Sequence, residues 1–140
     1  MTDITQAPAR IRPRILEGTT VILLTISLGV LIAQIDTSVV NLAVKEIGAS
    51  LGAGVTALQW VVDAYNLVYA SLLLTAGTLA DLYGRRRIFA LGIALFTPGS
   101  LVCGLAPNAA VLVGGRAVAG LGAALEIPTS LAILTRRLSG

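Results

Sequence analysis

Histidine is absent from this 140-residue chain, and cysteine occurs once, at Cys103. Without imidazole there is no Cys/His or Ser/His arrangement for nucleophilic catalysis and no cluster with metal-ligand spacing, so no enzymatic activity, catalytic residue, metal or cofactor is expected. Cys103 has no partner for an internal disulfide and, inside an apolar run, reads as a small core residue. Charge is scarce too: 12% of residues are Asp, Glu, Lys or Arg, where a soluble domain carries about 25%. The net charge of +3 and pI near 9.6 would ordinarily suggest nucleic acid. The basic residues stand beside apolar spans, however, with no interleaved aromatics to stack on bases, so no nucleic-acid partner is expected.

What the chain has in quantity is oil. Apolar residues make up 56% of it, and the mean hydropathy of +0.89 marks a membrane protein whose partner is the lipid bilayer. Four apolar runs, at about residues 18–44, 57–80, 87–105 and 109–134, are each of a length to cross the hydrocarbon core as a helix. The fold class is therefore all-α, with four transmembrane helices. Met1 to Glu17 is polar, carries Pro8 and Pro13, and reads as a tail. A basic tail before an apolar run is also the pattern of a secretory signal, but this run exceeds the usual apolar core of one, which favours an uncleaved first helix.

Orientation follows from the cations. Eight of the ten basic residues, Arg10, Arg12, Arg14, Arg85, Arg86, Arg87, Arg136 and Arg137, fall on one face of a four-crossing topology. Short loops rich in Arg and Lys stay in the cytoplasm, so both ends are expected inside a plasma membrane. The stretch Gly77 to Arg87 then forms a tight inner turn, with Gly77 and Gly84 allowing close approach and sharp turning. Lys45 to Thr56 is expected as an outer loop, with Trp60 as an interfacial anchor. Ala106-Pro107-Asn108 makes the second outer turn, and Pro98-Gly99 is expected to bend the third span.

Four ionisable residues, Asp36, Asp63, Arg116 and Glu126, lie within the spans, where a charge is costly and by default functional. At about 1.5 Å of rise per residue, Asp36 and Arg116 both sit roughly 10–12 Å below the outer surface, so the two are expected to pair. Such a pair either locks two helices or takes part in proton transfer, with Asp36 accepting a proton as a cavity opens. Asp63 lies at a similar level and either reaches water at the rim or lines the cavity. Glu126, deep in the inner half, either lines a cavity or pairs with the inner arginines. On the fourth span, Gly115/Ala119, Ala119/Ala123 and Gly120/Ala124 are small pairs four apart, a seam for close helix packing.

Three motifs carry a family resemblance. Gly77, Asp81, Gly84, Arg85, Arg86 and Arg87 match the loop between the second and third helices of the major facilitator superfamily, with Leu82 standing where a cation is usual. Ile35-Asp36-Thr37-Ser38-Val39-Val40-Asn41 resembles the first-helix signature of its fourteen-span drug/proton antiporters, with Ser38 in place of Thr and Lys45 in place of a Pro. Gly115-Arg116-Ala117-Val118-Ala119-Gly120-Leu121-Gly122 resembles the fourth-helix signature, with Ala119 where Gln is frequent. The start of the second span, Gln59 to Tyr65, is similar to the same branch, Asp63 being unusual there.

The resemblance implies the N-terminal part of a major facilitator bundle, whose cavity also needs helices beyond these four. It implies secondary active, proton-coupled export of drug-like or amphipathic small molecules. Asp36 and Arg116 would couple protons; Gly77, Asp81, Gly84 and Arg85 to Arg87 would gate and anchor the cytoplasmic side; Asn41, Asp63, Gly120, Gly122 and Glu126 would line the cavity or pack. Two alternatives remain open at this point. One is a complete four-helix exporter acting as a dimer; the other is a truncated membrane fragment without transport activity.

Overall fold

In the computed structural model of the chain, the backbone is described for residues 13–138 and side chains for 18–133. Arg10 and Arg12, and the side chains of Arg14, Arg136 and Arg137, lie outside the described residues. Four helices follow one another: α1 Pro13–Leu51, α2 Val55–Tyr83, α3 Arg85–Gly104 and α4 Ala109–Leu138. Each is long and apolar enough to cross a membrane. In lipid every backbone polar group must be satisfied within the segment, which is why runs of this composition become helices rather than open strands.

The connections are short and chemically explicit. α1 continues past Val44 to Leu51, so most of the outer loop expected from Lys45 onward is helix. It ends where Gly52 turns to φ 58° and the Ala53 amide bonds back to the Gly48 carbonyl at 3.0 Å, a left-handed helix stop that favours glycine. Gly48, read from sequence as loop, is instead a contact point: a Cβ there would meet the Leu58 side chain of α2. Between α2 and α3 a single residue interrupts the helix, Gly84 at φ 95° and ψ 126°, a conformation that residues with a Cβ rarely adopt. The expected turn from Gly77 is thus the last part of α2. Gly77 itself makes no close approach, since nothing described lies within 4 Å of where its Cβ would stand. α4 begins with a side-chain cap, Asn108 Oδ1 accepting from the Val111 amide at 3.0 Å.

Packing centres on α4. It lies against α3 on one side and α2 on the other, and α1 touches it more lightly. The small-residue seam divides between two faces. A Cβ at Gly122 would stand 2.5 Å from the Phe96 amide nitrogen and 2.7 Å from the Gly92 carbonyl of α3, while one at Gly120 would stand 2.6 Å from the Tyr65 carbonyl of α2. Backbone meets backbone on both sides, and dispersion contact with close approach drives helix association in lipid.

Three apolar layers result. Val40, Val61 and Leu112 form one near the α1–α2 loop; Ala33, Tyr65, Phe96, Ala119 and Ala123 form the middle; Ala76, Ala80, Ile88 and Leu125 form the third, near Gly84. Cys103 packs half-buried against the first layer. Along α1 a row that includes Leu24, Leu28, Leu31, Ile35 and Leu42 stays exposed, as suits a surface that meets lipid or further protein.

Candidate functional site

Between the first and middle layers lies Arg116, 1% exposed. Its Nη1 donates to Asp36 Oδ2 at 2.6 Å, joining α4 to α1, and its Nε donates to the Val61 carbonyl of α2 at 3.3 Å. The guanidinium carbon stands 4.3 Å from the centre of the Tyr65 ring, within reach of a cation–π contact. Tyr65 in turn stacks on Tyr69, ring centres 6.1 Å apart and planes 10° from parallel. α3 enters through Ser100, whose hydroxyl donates to Asp36 Oδ1 at 2.9 Å. All four helices therefore meet at one ion pair.

The matched depth read from sequence becomes a contact, and three further groups that it did not assign complete the site. Ser100 has a faint signal, one of two hydroxyls, with Thr97, in the outer half of the third span beside Pro98-Gly99. Tyr65 stood in a motif without a role. The Val61 carbonyl has no signal, because a backbone oxygen carries no residue identity.

Chemically, the arrangement holds one carboxylate by a guanidinium and a hydroxyl in a place shielded from water. Burial of the two charges is offset only if such bonds are well formed. Asp36, its side chain 14% exposed, is the more open of the two. Among the described residues no three His, Cys, Asp or Glu gather as metal ligands.

At the other end, Arg85 bridges two helices. Its Nη2 and Nε donate to Asp81 Oδ1 at 3.0 and 3.3 Å, and its Nη1 donates to the Ala132 carbonyl of α4 at 2.6 Å. The Asp81 side chain is 67% exposed, so the ion pair alone contributes little. The bond to Ala132 is the part that ties the Gly84 turn to α4. Arg86 and Arg87 are exposed beside it, and a cleft of about 490 Å³ is lined by Ala80, Asp81, Arg85, Arg86, Arg87 and Ile133, among others.

The remaining candidates scatter. Asn41 and Asp63 are exposed, and among the described residues neither bonds to the Arg116 cluster. Gly120 and Gly122 are packing positions rather than cavity lining. Glu126 is 1% exposed and makes no ion pair among the described residues, which do not include the side chains of Arg136 and Arg137. It lies within helix packing, against Gly29 of α1 and Gly92 of α3.

Comparison with known proteins agrees with this architecture. The family model described as Major Facilitator Superfamily matches residues 26–140. The chain is 47% identical over 113 residues to the "Multidrug resistance protein Stp" of Mycobacterium tuberculosis (strain CDC 1551 / Oshkosh), a match covering 81% of this chain and 21% of that protein. It is 42% identical over 113 residues to the "Methylenomycin A resistance protein" of Bacillus subtilis (strain 168), covering 81% of this chain and 24% of that one. It is 47% identical over 100 residues to the "Cephamycin export protein CmcT" of Amycolatopsis lactamdurans, covering 71% and 21%. The chain thus spans under a quarter of the length of these curated relatives.

Proposed function

The chain belongs to the Major Facilitator Superfamily, and on that premise we propose that it forms the first four helices of a secondary active transporter that exports drug-like or amphipathic small molecules in exchange for protons. The substrate class is supported by the relatives, whose names speak of multidrug resistance, antibiotic resistance and export. Helices beyond these four complete the cavity. The protein is a multi-pass membrane protein, and the proposed setting is the plasma membrane with the N-terminus in the cytoplasm.

The observation that carries the coupling is the buried Asp36–Arg116 pair. With the cavity closed, Arg116 and Ser100 hold the Asp36 carboxyl in place. When the cavity opens and water reaches Asp36, a proton on its carboxyl removes the charge and releases Arg116, which keeps the Val61 carbonyl and the Tyr65 ring as partners. Proton binding and opening therefore favour one another, which is the linkage that antiport requires. In the full-length transporter, Asp36→Asn keeps one acceptor oxygen, for Arg116, and its amide can donate to the Ser100 hydroxyl, but it cannot exchange a proton. Export driven by a pH gradient in reconstituted vesicles is expected to fall to background while the variant inserts and folds. Export at the normal rate from Asp36→Asn would remove the coupling role.

The Gly84 turn is proposed as gate and anchor together. Arg86 and Arg87 meet acidic headgroups, each contributing about 1 kcal/mol near such a surface. Arg85, held between Asp81 and the Ala132 carbonyl, closes the cytoplasmic side. A Tyr83→Cys probe is expected to label from the cytoplasmic side and a Lys45→Cys probe from the opposite side. Adding Asp81→Asn to the Tyr83→Cys protein should raise its labelling rate as the closed state loses population. Labelling of both probes from one side would overturn the orientation, and a rate indifferent to Asp81→Asn would leave the turn an anchor alone.

A further inference from the structure

Glu126 is the one ionisable side chain inside the spans that is both fully enclosed and unpartnered among the described residues: 1% exposed, with no hydrogen-bond partner for Oε1. The enclosure is built by neighbours from two other helices. On α1, Gly29 leaves the space that the carboxyl occupies, for a Cβ at Gly29 would collide with Oε1. On α3, Gly92 lets the backbone of α4 close in at Glu126, and the Phe89 ring borders the Gly29 contact. Within this chain the enclosure is built by α1, α3 and α4. An ionised carboxylate without partners in such surroundings costs several kcal/mol, whereas the neutral acid fits.

A mostly apolar crevice adjoins it. A crevice of about 250 Å³ between α1, α3 and α4 is lined by Val21, Ile22, Thr25, Ile26, Arg86, Phe89 and Ile133. Phe89 belongs to both the crevice wall and the Glu126 enclosure, and Ile26 lies one turn from Gly29. Arg86 stands in the crevice wall as a fixed cation. We propose that Glu126 is a second proton-binding site, separate from the Asp36–Arg116 pair, which exchanges its proton with the Arg86 side of the membrane when Phe89 moves aside. In that step the Oε–H bond breaks, the proton passes to water in the crevice, and the carboxylate left behind faces Arg86.

The groups around it are few. α1 presents Gly29, Ile26 and Thr25, none titratable. α2 contributes Tyr69, packed against the middle layer that holds Tyr65 and Ala123. α3 contributes Arg86, and α4 has no other ionisable group within two turns on the described side. Arg85 of α3 and Asp81 of α2 pair farther toward the Gly84 turn, where Arg85 bonds to the Ala132 carbonyl of α4.

The proposal rests on the proton-coupled reading for its physiological meaning, but its test does not. Infrared difference spectra of the full-length protein, recorded between acidic and alkaline buffer, read protonated carboxyls directly. A protonated-carboxyl C=O band that vanishes at alkaline pH is expected in the wild type and in Asp36→Asn. It should be missing in Glu126→Gln, which should also bind one proton fewer per protein across the titration. Glu126→Asp should keep the band at a shifted frequency, and Gly29→Ala, which drives the carboxyl from its niche, should shift it too while retaining Glu126. Retention of the full band and proton count in Glu126→Gln, or a band that never responds to pH, overturns the inference. If Asp36→Asn exports normally while Glu126→Gln loses band and proton, the coupling role of Asp36 fails and the Glu126 site stands. The reverse pattern sinks the Glu126 site alone.

Discussion

Arg116→Ala is expected to destabilise the full-length transporter by about 3–5 kcal/mol, the range for stripping one partner from a buried ion pair. The loss has several parts. Asp36 keeps only the Ser100 hydroxyl, the Val61 carbonyl loses its extra donor, and the Tyr65 ring loses the cation above it. A cavity of guanidinium size opens where α1, α2 and α4 meet. Arg116→Lys should recover only part of this, because a single ammonium cannot reach the Asp36 oxygen and the Val61 carbonyl with one planar fork. The double replacement Asp36→Ala with Arg116→Ala should be milder than Arg116→Ala alone, since no charge is left without a partner. Unfolding of the purified protein in detergent, followed by loss of helix signal, measures all three. A change below about 1 kcal/mol for Arg116→Ala would mean that water already solvates the pair, as it does at exposed sites.

The same cluster shows how far a sequence reaches. Rise per residue put Asp36 and Arg116 at one depth, and depth is a one-dimensional quantity that composition and span ends supply. What depth cannot supply is azimuth, the direction in which each side chain leaves its helix. For that reason Tyr65 and Ser100 stayed unassigned, and Asn41 and Asp63, equally polar, could not be told apart from them. The four helices were legible because hydrocarbon length and backbone satisfaction leave few choices for runs of this hydropathy.

Helix ends were less legible. Gly48 and Ser50 read as loop because glycine disfavours helix interiors, yet Gly48 is kept in α1 by contact with Leu58, and the true stop is Gly52 at positive φ. Gly77 and Gly84 looked equivalent in the motif, and only Gly84 breaks the helix. The Glu126 enclosure was beyond reach, since it depends on Gly29 of α1 coming level with α4, a register that no local pattern encodes.

Register between α3 and α4 is also where the second large effect lies. Gly122→Leu is expected to cost about 3 kcal/mol or more, the upper end for overpacking, because the inserted side chain meets backbone and not movable side chains. The first atom of that side chain would already stand 2.5 Å from the Phe96 nitrogen and 2.7 Å from the Gly92 carbonyl. Relief therefore requires α3 to move away as a body, which withdraws Ser100 from Asp36 and Gly92 from Glu126. Loss of tertiary stability should thus be accompanied by loss of export, even though Gly122 touches neither charged site. Gly114 provides the control on the same helix: open space surrounds it. Gly114→Ala should be neutral or stabilising by up to about 1 kcal/mol, as for removal of glycine from a helix interior, while Gly122→Ala should be destabilising. Opposite signs for one substitution at two positions of α4 would show that close backbone approach, rather than helix propensity, fixes these glycines. Equal effects at both would mean that α3 and α4 do not meet in the register described.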